Sequence, residues 1–152
     1  MISLLAMQRP TDWNFPLFVH VLGAMVLVGG LLAGASLMTY ARGDARFLRL
    51  GYWTLVCVAL PGYVVMRIGA QWLYAKEGLD DLPDEPAWID IGYAVADIGA
   101  LLVLIALIVG GIGVRRQRSG GGGGLLKAAM VIAWIVLAAA LVAVWAMAGK
   151  PD

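Results

Sequence analysis

The chain has 152 residues, 62% of them hydrophobic, and a mean hydropathy of +0.86. Soluble domains hold roughly 45–50% apolar residues, so the expected solvent is a bilayer. A formal net charge of +1, with no basic segment interleaved with aromatics, excludes nucleic acid as a partner, and the single cysteine, Cys57, excludes an intrachain disulfide.

The first fifteen residues, MISLLAMQRPTDWNF, lack a basic start, a long apolar stretch and a small-residue cleavage site, and do not read as a secretory signal. Four apolar runs follow, near 16–40, 50–74, 88–114 and 125–147. At 1.5 Å per residue each is long enough to cross a hydrocarbon core of about 30 Å.

In the first run His20 is the only titratable group, and His20, Gly23, Leu27, Gly30 and Gly34 recur at helical three-four spacing. Small residues in membrane helices mark the packed face, so His20 is expected there, and GLLAG is a small-xxx-small helix contact. The second run is interrupted by Pro61-Gly62, where a kink is expected, and aligns Tyr63, Arg67, Gln71 and Tyr74 along one side. The third carries Asp90, Tyr93 and Asp97 on one face, then a wholly apolar stretch from Ile98 to Ile112. The fourth has no charge beyond Lys127, whose amine reaches the interface over an apolar stem, and reads as scaffold or lipid-facing.

Connections of about nine, thirteen and ten residues make consecutive helices antiparallel neighbours. RRQRSGGGGG reads as a flexible basic linker. The expected architecture is all-α, a single-domain integral membrane bundle of four antiparallel transmembrane helices over 1–152. Lys and Arg set orientation, because cytoplasmic connections retain positive charge. Arg42, Arg46, Arg49, Arg115, Arg116, Arg118 and Lys127 stand on one side, against Arg9, Lys76 and Lys150 on the other. The acidic segment KEGLDDLPDEP and both termini are therefore expected outside the cytoplasm.

Counting from the outer end of each run places His20, Arg67 and Asp97 at depths of roughly 6, 10 and 14 Å. A charge near the bilayer centre costs about 2.5–3.5 kcal/mol, so Arg67 and Asp97 are expected to pair. The candidate binding residues are Arg67, Asp97, Asp90, Gln71, Tyr63, Tyr93 and His20. The plain alternatives are that the pair only fixes helix packing, that Asp90 is a solvated acid at a helix start, and that His20 is hydrogen-bonded scaffold. Zinc lacks a ligand set in one His, one Cys and two Asp. Haem held by two histidines is excluded within one chain, while His20 with Met25 or Met66 is open. No Ser-His-Asp or Cys-His arrangement is supported, because Ser36 and Cys57 lie toward the other half of the membrane, and no catalytic residue is assigned. The half nearer the basic loops holds only Ser36, Thr39, Thr54 and Cys57 as weak polar groups, which disfavours a simple ion channel.

The segment LFVHVLGAMVLVGGLLAG, a His near the outer end of a first helix followed by glycines, resembles the opening of the copper-resistance protein D superfamily. It is similar above all to an uncharacterised bacterial group of four-span integral membrane proteins, and PGYVVMRIG resembles that group's proline and glycine pattern. The resemblance implies a bacterial inner-membrane protein with haem or copper handling at His20, although Met-x-Met and His-rich outer loops are lacking. Three readings follow. The first is a polar pocket in the outer leaflet half that binds, and helps transport, a small solute or ion without a cofactor. The second is a haem- or metal-handling redox protein using His20. The third is an accessory subunit whose polar groups only hold helices together. The expected partners are the lipid bilayer and a second copy of the chain or a partner membrane subunit.

Overall fold

The computed structural model describes residues 11–78 and 87–149. A single 3-10 turn, Thr11–Trp13, leads into α1, Asn14–Tyr40. Pro16 is tolerated there because the first turn of a helix has no intrahelical use for its N–H. The connection that follows is four residues, not nine. Arg42 and Gly43 take positive φ of 46° and 96°, and the Asp44 carboxylate accepts the Arg46 N–H at 2.7 Å, capping α2, Ala45–Thr54. The second span thus begins about one turn earlier than apolarity alone indicates, because the cap outweighs the exposed Arg46 and Arg49.

After α2 the chain passes through a π-helical turn, Leu55–Ala59, and continues as α3, Leu60–Glu77. The irregularity expected at Pro61-Gly62 takes this form. Pro61 has no N–H for the Cys57 carbonyl, and the ladder widens just upstream, where the Leu60 N–H reaches the Leu55 carbonyl. Gly78, at φ 62°, closes α3 by donating its N–H to the Tyr74 carbonyl.

Helix α4, Ala87–Gln117, and helix α5, Gly123–Gly149, are joined by residues 118–122. This corrects the linker expectation. The loop is a tight turn in which the Gly121 N–H meets the Arg116 carbonyl at 3.0 Å, and Gly120 and Gly122 sit at φ 80° and 88°. A Cβ on Gly122 would run into the Gly113 carbonyl, so that glycine is demanded by both conformation and space.

Four helices of this bundle, Thr11–Tyr40, Ala45–Glu77, Ala87–Gln117 and Gly123–Gly149, are long and apolar enough to cross a membrane. At most 28% of any apolar window is buried inside the protein. The rest, including Phe18, Leu101, Ile108, Leu141 and Trp145, is exposed over an apolar area that fits contact with a lipid bilayer. The protein is a multi-pass membrane protein with an all-α four-helix fold.

Packing is uneven. Helix α1 meets the second span almost backbone to backbone: a Cβ on Gly62 would stand 2.5 Å from the Leu27 nitrogen, and one on Gly30 2.7 Å from the Ala59 nitrogen. The expected stripe of Gly23, Leu27, Gly30 and Gly34 is buried, and GLLAG serves this contact within the chain. Helix α5 packs on α4 and α1 through Leu126, Ala129, Ala133, Val136 and Leu137. The seam between α3 and α4 is the thin one, with few close approaches of backbone.

Candidate functional site

Long side chains bridge this thin seam. The Arg67 Nη2 donates to the Asp97 Oδ1 at 2.8 Å, so the expected pair forms. The guanidinium also lies 4.8 Å from the centroid of the Tyr93 ring, a cation–π contact. One turn toward the basic end, the Tyr63 hydroxyl donates to the Ala96 carbonyl at 3.3 Å. In the opposite direction the Tyr74 and Tyr93 rings meet edge to face with centroids 5.6 Å apart. Helical spacing explains the assembly. Tyr63, Arg67 and Tyr74 share one side of α3, and Tyr93, Ala96 and Asp97 share one side of α4.

The pair is asymmetric. Asp97 leaves 64% of its side chain exposed, whereas Arg67, held between carboxylate and ring, leaves 27%. One bond to a guanidinium uses a fraction of a carboxylate's roughly four acceptor positions, so Asp97 retains capacity for a further donor.

Depth follows from helix length. Helix α4 has 31 residues, about 46 Å at 1.5 Å each, against a hydrocarbon core of about 30 Å that takes about 20 residues. Taking Arg115 and Arg116 as one boundary, about 20 residues back from Val114 lies Ala94, three residues before Asp97. The same count from Tyr40 in α1 ends at His20, and from Leu50 in the second span at Ala70. On this count His20, Arg67 and Asp97 each fall within about one helical turn of the same end of an apolar span of about 30 Å.

His20 belongs to another face. Its Nδ1 lies 3.1 Å from the Met66 carbonyl, an acceptor only, which assigns the ring proton to Nδ1. A Cβ on Gly69 would meet the His20 backbone, so the imidazole is seated in the seam of α1 with α3. Met66 and Gly69, which meet His20, lie about 100° and about 160° around α3 from Arg67. Met25 is 68% exposed, and Met66 offers His20 its carbonyl. Among the described residues no three His, Cys, Asp or Glu side chains converge.

Gln71 and Asp90 are exposed on the same stripes as Arg67 and Asp97, one turn and two turns nearer the helix ends, and the pair forms without them. Asp90 sits in the first turn of α4, where the helix dipole favours a carboxylate. Two contacts carried no sequence signal. Lys76 Nζ lies 3.4 Å from Asp12 Oδ2, and Phe15 meets Trp72 edge to face with centroids 5.6 Å apart. Both join the start of the first span to the end of α3.

Toward the basic loops the two threonines have hydrogen-bond partners. Thr39 Oγ1 donates to the Ala35 carbonyl at 2.8 Å and accepts the Trp134 indole N–H at 3.0 Å, while Thr54 donates to the Leu50 carbonyl at 2.9 Å. Tyr52 donates to the Leu107 carbonyl at 3.1 Å, its ring filling the space that Gly110 leaves. A small void between the helices is lined by apolar side chains, among them Leu31, Leu55, Val103, Ile132 and Val136. No family model matches the chain, and no curated protein or solved structure is significantly similar to it.

Proposed function

We propose that this membrane protein binds a small charged or zwitterionic solute at the seam of α3 and α4, with Arg67 and Asp97 as its floor. The supporting observation is the pairing itself: opposite charges 2.8 Å apart at the rim of the hydrocarbon, one of them 64% exposed. A brace needs no exposed carboxylate, and the other helix seams close on small residues instead. Tyr63 and Tyr93 hold the two helices at a separation that long side chains span. The apolar interior of the bundle favours binding, or transport by helix movement, over flow along its axis.

The basic loops favour an orientation with that end in the cytoplasm, so the seam faces the non-cytoplasmic side with both termini outside; the resemblance to the copper-resistance protein D superfamily makes that membrane a bacterial inner one. A second copy or a partner membrane subunit laid against α4 would complete the pocket. The test is a thermal-shift panel of small amines, amino acids, carboxylates and monovalent cations on detergent-purified protein, followed by proteoliposome uptake of any hit. A solute that stabilises the wild type, and loses its effect in both Arg67→Gln and Asp97→Asn at unchanged helix content, supports the reading. An equal response in the neutralised variants refutes it.

A further inference from the structure

Asp97 heads an apolar stripe. Counting along α4 by four, three and four residues gives Leu101, Leu104 and Ile108, which are 59%, 54% and 55% exposed, on one face of the helix. That face presents a carboxylate at the rim of the hydrocarbon and bare hydrocarbon below it. Its shape in charge and polarity is that of an amphiphile's partner.

Resting on the seam as a binding site, we propose that its ligand is the headgroup of a zwitterionic phospholipid with a primary ammonium. Asp97 takes the ammonium, Arg67 takes the phosphate, and an acyl chain lies along Leu101, Leu104 and Ile108. Three features select this chemistry. The site holds one positive and one negative group 2.8 Å apart, so it is neutral overall and complements a ligand that is also neutral overall. Arg67 has five N–H donors in a fork that matches phosphate oxygens, and its bond to Asp97 through Nη2 leaves others to offer. The face of Tyr93 that would attract a quaternary ammonium is occupied by the Arg67 guanidinium, so the cation is recognised by hydrogen bonds to the carboxylate, which only an ammonium bearing N–H can make. A soluble zwitterion shares the headgroup chemistry but has no use for the stripe, and the stripe commits the site to lipid.

The experiment measures affinity of the detergent-purified, full-length protein by intrinsic tryptophan fluorescence for three probes: dihexanoyl-phosphatidylethanolamine, dihexanoyl-phosphatidylcholine and free phosphoethanolamine. The expected Kd is about tenfold lower for the ethanolamine lipid than for the choline lipid, the size of one charged hydrogen bond. Asp97→Asn abolishes that ratio and Asp97→Glu keeps it. The charge-swapped double variant, Arg67→Asp with Asp97→Arg, keeps a pair to hold the fold but presents the charges in reverse order, and also loses the ratio. Equal affinity of the wild type for both lipids overturns the proposal, as does free phosphoethanolamine binding as tightly as the lipid. If the two lipids bind equally while a solute of the panel above still depends on Asp97, the lipid assignment falls and the seam remains a binding site. If nothing binds in an Asp97-dependent way, both fall.

Discussion

A double-mutant cycle on Arg67 and Asp97 separates a binding site from a structural brace. Unit charges 4 Å apart attract by about 1 kcal/mol in water and about 4 kcal/mol at the effective dielectric of a protein surface. Asp97 is more than half exposed, and screening through that carboxylate brings the interaction toward the lower figure. The guanidinium, with its Tyr93 contact, keeps some of the larger one. The expected coupling between Arg67→Gln and Asp97→Asn is therefore about 1–2 kcal/mol, with each single change costing about 1 kcal/mol. Reversible unfolding by SDS in mixed micelles, followed by circular dichroism, measures all four corners. Breaking a buried pair costs about 3–5 kcal/mol, so losses in that range would mean that the charges lie inside the hydrocarbon and hold the bundle together, refuting the rim placement. A coupling below about 0.3 kcal/mol would mean that the 2.8 Å contact does not persist in the membrane.

Gly62→Leu forces a side chain into the Leu27 backbone and should cost more than about 3 kcal/mol in the same unfolding assay, since backbone cannot give way as a side chain can; a loss below about 1 kcal/mol would show that α1 and α3 are less close. The five-glycine run should divide. Gly122→Ala, at φ 88° and facing the Gly113 carbonyl, is expected to destabilise by at least about 1 kcal/mol, while Gly124→Ala, helical and with open space around it, should stabilise by about 0.5–1 kcal/mol. With Cys57→Ala as background, Ser119→Cys should resist a membrane-impermeant maleimide in intact cells and Gly78→Cys should react; the reverse pattern would invert the proposed orientation.

Much of this protein could be read without coordinates. Four spans follow from apolar length, because hydrocarbon imposes a thickness and demands that each segment satisfy its own backbone. The packed face of α1 follows from glycine spacing, and the Arg67–Asp97 pair from the cost of a lone charge beside lipid. Local rules that a hydropathy count overlooks moved the edges: the Asp44 cap starts α2 early, and Gly120 and Gly122 turn an apparent linker into a tight corner.

What only the tertiary structure decided is how the helices share their faces. The sequence puts His20, Arg67 and Asp97 in the same half of the membrane, yet His20 turns to the Met66 carbonyl in one seam of α3 while Arg67 turns to α4 in the next. One-dimensional spacing fixes the angle between two residues on the same helix, but not which neighbour each will meet. That depends on how closely the backbones approach, and here the glycines of Gly23, Gly30, Gly62 and Gly69 draw α1 and α3 together and leave the α3–α4 seam to side chains long enough to cross it.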